Sequence, residues 1–175
     1  HPKHPESPYG HSKLIVEEML EHFRAAYQLD YVVLRYFNAS GAALDGSRGE
    51  GHIPETHMIP CAINALITNK DFTLFGTDYE TDDGTCVRDY IHVVDLVEAH
   101  ILAFRKIRDE GGKYYFNVGT GKGYSNKEVV AEVKKVAERE LSINYAERRP
   151  GDPATLIADA SKIKSELGFE PKYSD

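Results

Sequence analysis

Tyr9 and Lys13 stand four residues apart in Tyr9-Gly10-His11-Ser12-Lys13. On a helix that spacing puts both side chains on one face. A free tyrosine, with a pKa of about 10, is a poor base near neutrality. An ammonium one turn away favours the phenolate. The pair then becomes a device for taking a proton from a substrate hydroxyl. An ordinary surface tyrosine and lysine give the same spacing, and on spacing alone that plainer account is preferred. Asn38 follows Arg35-Tyr36-Phe37 at the end of an apolar run. Ligands of open α/β sheets bind at strand C-termini, so Asn38 is placed to bond a hydroxyl or a phosphate. An asparagine leaving a strand through a turn is an equal account.

Arg88, Arg148 and Arg149 form a third group. Guanidinium forks match phosphate oxygens two bonds at a time, so arginines from distant segments suit a diphosphate. Asp89 and Asp152 lie close by in sequence, and local salt bridges account for the same residues equally well. Gly119, Gly121 and Gly123 spell G-x-G-x-G rather than G-x-G-x-x-G, and no acidic residue ends a following strand at the expected distance. A strand-to-helix turn needing glycine freedom is the better reading. The eight histidines lack H-x-x-x-H and H-E-x-x-H spacing, so no metal site is expected. The acidic stretch Asp78 to Asp83 lacks EF-hand order and reads as a solvated loop.

The elements that must carry these residues follow from periodicity. Ser7-Pro8 predicts an N-cap and first turn. The helix runs to about Gln28, with Leu14, Ile15, Glu18, Met19, His22 and Phe23 in one stripe. Tyr31 to Tyr36 reads as a buried strand, and Asn38 to Glu55 as a long, functional or disordered loop. A helix is expected from Met58 to about Ile67, strands at Phe72–Phe75 and Val87–His92, and a helix from Val93 to Arg105. The last of these places Leu96, Val97, His100, Ile101 and Phe104 on one face. Tyr114–Val118 is a further strand. Ser125 and Glu128 form a capping box for a helix reaching about Leu141. Ser142–Tyr145 reads as a strand, Arg148–Asp152 as a turn, and Ser161–Leu167 as a short helix stopped by Gly168. Alternation of this kind implies an α/β fold.

The chain has 175 residues, 41% of them hydrophobic, and a net charge of -7. That balance disfavours binding to nucleic acid or acidic membranes. Cys61 and Cys86 are far apart without C-x-x-C spacing, which suits a reducing, cytoplasmic setting. There is no apolar run of membrane-spanning length and no signal-peptide pattern. Beginning at His1 and ending in polar sequence, the chain reads as a piece of something longer.

Taken in order, the motifs point to one family. Ser7-Pro8-Tyr9-Gly10-His11-Ser12-Lys13-Leu14 is similar to the catalytic Y-x-x-x-K segment of extended short-chain dehydrogenase/reductases. Leu34-Arg35-Tyr36-Phe37-Asn38-Ala39-Ser40-Gly41-Ala42 resembles the R-Y-F-N-x-x-G-A segment of UDP-galactose (UDP-glucose) 4-epimerases. So do Phe75-Gly76-Thr77-Asp78-Tyr79, the run from Asp83 to Leu96 containing Arg88-Asp89-Tyr90-Ile91-His92, and Arg148-Arg149-Pro150-Gly151-Asp152. The resemblance covers essentially the whole chain, and about the second half of a full enzyme.

This resemblance implies the C-terminal portion of a Rossmann-type fold with a smaller mixed α/β substrate domain. Residues 1–37 would end the NAD-binding domain. Residues 38–175 would mainly hold the UDP-sugar, with 87–107 packing on the Rossmann sheet. The implied reaction is a transient oxidation at the sugar C4: Tyr9 takes the 4-hydroxyl proton, hydride passes to NAD, the 4-keto sugar turns over, and hydride returns to the other face. Lys13 would bond the nicotinamide ribose and Phe37 would touch the nicotinamide end. Asn38 matches a substrate-contacting asparagine, and His57 and Met58 stand where the family has Asn-Leu. Thr73, Leu74 and Phe75 would flank the uracil, Arg88 and Arg149 would clamp the diphosphate, and Asp152 would bond the uridine ribose. Leu156 replaces a tyrosine that narrows the sugar pocket in many members, which would admit an N-acetyl group. UDP-xylose/arabinose epimerisation and a non-catalytic UDP-sugar-binding module are the alternatives. A homodimer is expected of the whole enzyme. The glycine-rich NAD turn and the family's Ser/Thr catalytic member are absent from the chain, so it is expected to be inactive alone.

Overall fold

The computed structural model describes residues 3–5 and 7–174. Helix α1 (Pro8–Tyr27) starts where the capping residue dictates: the Ser7 hydroxyl accepts from the Gly10 N–H at 3.1 Å, and Pro8 has no N–H to leave unpaired. It ends at Gln28 in the left-handed conformation. Strand β1 (Tyr31–Tyr36) follows, and its parallel partner is β6 (Lys113–Val118). A bidentate ion pair fixes α1 to β1. Arg35 donates to both Glu17 carboxylate oxygens at 2.6 Å, and Lys3 adds a contact at 2.7 Å. Arg35 chiefly, with Lys3, holds the Glu17 carboxyl below the usual range despite its burial.

The expected loop after Phe37 begins instead with a short strand, β2 (Asn38–Ser40), because β5 (Tyr90–His92) lies beside it in parallel register. Helix α2 (Met58–Thr68) and strand β3 (Phe72–Phe75) come next. The single strand expected over Val87–His92 is two: β4 (Val87–Arg88) and β5, which belong to different sheets. Asp89 makes the break. Its buried carboxylate accepts from the Thr120 N–H and hydroxyl, the Gly121 N–H and the Ala158 N–H, at 2.8–3.2 Å. The chain bends to reach that cradle instead of running straight.

Helix α3 (Val93–Glu110) lies on β1, β5 and β6. After β6 the chain forms β7 (Tyr124–Ser125), α4 (Asn126–Ala137), β8 (Ile143–Ala146), β9 (Thr155–Leu156) and α5 (Ser161–Leu167). Helix α4 opens with the expected reciprocal capping box of Ser125 and Glu128, but ends before Leu141. Strand β9 was not foreseen. Its two residues are extended because β4 offers a free edge.

Two cores form. In one, Ile91, Leu96, Ala99, Phe116, Val118, Ile163 and Phe169 pack together. In the other, Ala62, Ala65, Leu66, Phe72, Leu74, Val130 and Leu141 join α2, α4 and β3. The helix faces differ from expectation. In α3 the buried residues are Asp95, Leu96, Ala99 and Ala103, while Val97, Ile101 and Phe104 stay exposed. Small alanines let the helix approach the sheet closely. In α1 it is Glu17 that is buried, while Ile15, Met19 and Phe23 are about half exposed. The ion pair to β1, rather than the apolar stripe, sets that helix's rotation. Among the described residues β1 pairs with β6 alone.

Candidate active site

A cavity of about 750 Å³ opens beside the second core, with Met58, Cys61, Phe72 and Leu74 in its wall. Its walls come from the end of β2, the first turn of α2, β3, β4 and the segment from Arg149 to Leu156. Asn38, His57, Met58, Thr73, Leu74, Phe75, Arg88, Arg149, Asp152 and Leu156 all line it. Every substrate position carried over from the family motifs therefore reaches one place. Along β3 the alternation of an extended chain divides the labour. Phe72 and Leu74 are buried in the core, whereas Thr73 and Phe75 face outwards. Leu74 thus supports the wall from behind.

Asp152 lies between two guanidinium groups. Arg149 donates to it through Nε at 3.0 Å, with Nη2 2.9 Å from the same oxygen, and Arg88 Nη2 is 3.9 Å from its other oxygen. Arg88 is nearly buried and also donates to its own strand at the Val87 carbonyl. Its sequence neighbour Asp89 is occupied by backbone N–H groups. The third arginine, Arg148, turns away to Asp78 and lies over the Tyr79 ring at 4.4 Å. It holds the Asp78 carboxyl below the usual range. Arg149 instead lies over Phe75, its guanidinium carbon 5.4 Å from the ring centroid. Two arginines of the three remain for an anion.

The loop leaving β2 passes close beneath α3. Gly41 has a φ of +82°, and a Cβ there would stand 2.3 Å from the His92 ring. Only glycine fits that crossing. His92 is held in turn, its Nδ1 accepting from the Val94 N–H at 3.1 Å. Tyr90 also lines the cavity, and its hydroxyl reaches Met58 Sδ at 3.3 Å. Burial pushes the Tyr90 phenol up, against a smaller opposing effect of Arg88. The sequence reading passed over Tyr90. The signal available was its position two residues from Arg88, but an aromatic inside an apolar run also reads as core.

Tyr9 and Lys13 lie outside the cavity walls. They share the exposed face of α1, with the Lys13 ammonium 4.8 Å from the Tyr9 ring centroid. The start of α1 is nevertheless close to the cavity. A Cβ on Gly151, next to Asp152, would lie 3.9 Å from Ser7 Cβ. Phe37 is half-buried at the end of β1, where its N–H donates to the Val118 carbonyl at 3.1 Å.

The glycine run after β6 is committed to another task. The Thr120 and Gly121 N–H groups hold Asp89, and a Cβ on Gly119 would stand 2.5 Å from Ala158 Cβ and 2.6 Å from Asp89 Oδ2. These donors are not available to a pyrophosphate. The turn reading holds, and Asp89 supplies its reason. Histidine spacing, by contrast, speaks only of regular helices. The loop before α2 brings Glu50, His52 and His57 together, each offering a ligand atom within 4.8 Å of the others. Among the described residues no helix is long and apolar enough to cross a membrane.

Comparison with known proteins agrees with this geometry. Residues 1–119 match the model of the NAD dependent epimerase/dehydratase family. A UDP-glucose 4-epimerase of Halalkalibacterium halodurans is 47% identical over 173 residues, which are 98% of this chain and 52% of that protein. The crystal structure of UDP-glucose 4-epimerase from Brucella ovis in complex with NAD superposes with a TM-score of 0.92 at 48% identity, covering 98% of this chain and 53% of that one. The Bifidobacterium longum UDP-glucose 4-epimerase, in complex with NAD+ and UDP, gives 0.88 at 42% identity, covering 96% and 51%. The chain spans about half the length of the relatives it matches. The Rossmann-type assignment of its parallel α/β elements is shown by these likenesses, and the chain belongs to the NAD dependent epimerase/dehydratase family.

Proposed function

We propose that the whole protein carrying this chain is a UDP-glucose 4-epimerase, interconverting UDP-galactose and UDP-glucose. One observation carries the reading: ten motif positions scattered from Asn38 to Leu156 line a single cavity. Its dimensions suit a nucleotide sugar, and its two arginines suit a diphosphate. Arg88 and Arg149 hold the phosphates, and Asp152, already between them, bonds the ribose. Thr73 and Phe75 flank the uracil with Leu74 behind them. Asn38, His57 and Met58 meet the sugar end, where Leu156 closes the wall.

The residues present fit one end of NAD and not the other. Tyr9, Lys13 and Phe37 suit the nicotinamide ribose and ring. The described glycine turn is closed to pyrophosphate by Asp89, and residues 1–37 form the end of the cofactor-binding domain. When bound, NAD supplies a reversible oxidant for the carbon bearing the sugar hydroxyl. The chain's own part is proton handling and orientation. Tyr9 accepts the proton of the 4-hydroxyl and returns it, with the Lys13 ammonium beside its ring. Residues 38–175 mainly form the substrate domain, and 87–107 pack on β1 and β6. A cytoplasmic homodimer that binds no nucleic acid completes the reading. It rests on the resemblance, the cysteine usage and the acidic charge.

The test uses the whole protein, with UDP-galactose as substrate and UDP-glucose followed through UDP-glucose dehydrogenase. Conversion by the whole protein and none by residues 1–175 alone is expected. Absence of conversion by the whole protein contradicts the reading. A second substrate is favoured by Leu156, whose side chain is 45% exposed on the cavity wall. UDP-N-acetylglucosamine is expected to react too. Leu156→Tyr should lower that activity about tenfold or more while sparing UDP-glucose, through steric exclusion in the pocket. Equal loss for both sugars would count against it.

A further inference from the structure

Residues 41–57, between β2 and α2, hold their shape through short-range bonds. The Ala43 N–H donates to the Arg48 carbonyl at 2.9 Å, and Ser47 donates to Asp45. The Gly51 and His52 N–H groups both donate to Glu50 Oε1 at 3.0 Å. That pair anchors the Glu50 carboxylate by one oxygen only. The other, Oε2, is 4.0 Å from His57 Nδ1. The His52 and His57 rings lie 5.4 Å apart between centroids and are tilted by 55°. The three side chains each bring a ligand atom within 4.8 Å of the others.

Two imidazoles and one carboxylate are a set that zinc accepts with a position left open. Metal–ligand bonds of about 2.0–2.2 Å put tetrahedral ligands about 3.3 Å apart. The cluster therefore closes by about 1.5 Å at most, within reach of exposed side chains on a loop. An outer group is also in place. Glu55 Oε1 lies 2.8 Å from His57 Nδ1 and accepts from the His57 backbone N–H at 2.7 Å. Carboxylates in that position fix the tautomer and orientation of a metal-binding imidazole. Magnesium and calcium prefer oxygen-rich shells, so the two nitrogens select a borderline transition cation.

We propose that Glu50, His52 and His57 form a binding site for a divalent transition cation of the zinc class, at the mouth of the cavity. Glu50 and His57 line that cavity, so the bound cation ties the loop to the N-cap of α2. This does not depend on which sugar the cavity takes.

The test is a titration of the whole, tag-free protein with ZnCl2 against a chromophoric chelator, with MgCl2 in large excess. One equivalent of Zn2+ is expected to bind. His52→Ala and Glu50→Gln should each weaken it by more than about 100-fold, the loss of a ligand outweighing the 10–100-fold effects typical of outer groups. His52→Cys, which restores a soft ligand, should keep at least the original affinity. Melting temperatures without metal should stay unchanged, since both side chains are exposed. Full retention of Zn2+ by the double variant Glu50→Gln/His52→Ala would overturn the proposal. So would failure of the unaltered protein to take up an equivalent.

Discussion

Asp152 shows how one carboxylate can prepare a site for an anion. It holds Arg149 by one hydrogen bond and a close ion pair and keeps Arg88 within 3.9 Å, so the two guanidinium groups converge on it. Removing Arg149 should therefore cost binding more than turnover. Arg149→Ala is expected to weaken UDP binding by about 10–100-fold, the range of a charge-assisted hydrogen bond, measured by titrating the whole protein with UDP. An unchanged affinity would remove Arg149 from the diphosphate site. Residues of this kind were legible in the sequence through the family motif, since by spacing alone local salt bridges to Asp89 and Asp152 accounted for the same arginines equally well. Which of Arg148 and Arg149 faces the cavity was settled by motif alone, since both have an acidic partner. Tyr90 was not legible, because burial and binding call for the same aromatic type. The cluster of Glu50, His52 and His57 was hidden for another reason: an irregular loop has no period to read.

At the scale of elements, polar anchors decide what periodicity could not. Asp89 splits the strand expected over Val87–His92 and gathers β5, the Gly119–Gly121 turn and Ala158 around one carboxylate. Gly119→Ala, forced against Ala158 and Asp89, should destabilise the protein by about 1–3 kcal/mol as an overpacked site. Denaturant unfolding would measure this, and an unchanged midpoint would contradict the cradle. Glu17 likewise sets the rotation of α1 through Arg35. Its carboxyl is held low mainly by the Arg35 hydrogen bonds. The pair's contribution is thus fully present above the ordinary carboxylate pKa and is lost as pH falls through the lower folded value. Glu17→Gln should cost about 1–2 kcal/mol at neutral pH, with allowance for partial exposure. The gap in melting temperature from the unaltered protein should narrow below about pH 4.5. A gap that stayed constant with pH would point to packing instead. Helix positions and caps were legible, including the Ser125–Glu128 box, since caps are local chemistry. Helix faces were not, because a buried ion pair and two alanines outweighed the apolar stripes.

On the scale of the molecule, the described residues form two packed cores and a cavity, yet leave apolar stripes uncovered. Ile15, Met19 and Phe23 on α1, and Val97, Ile101 and Phe104 on α3, are exposed. Strand β1 has a partner on one edge only among the described residues. These features accompany a chain that spans about half the length of its relatives. The walls of the cavity are complete enough to converge, whereas Tyr9 and Lys13 stand on an open face. Their role is the central claim, and turnover of UDP-galactose by the whole protein bearing Tyr9→Phe tests it most directly. Loss of a positioned proton acceptor should lower kcat by about 10²–10⁴-fold with little change in UDP affinity. Turnover equal to that of the unaltered protein would contradict it, and another group would then have to move the proton.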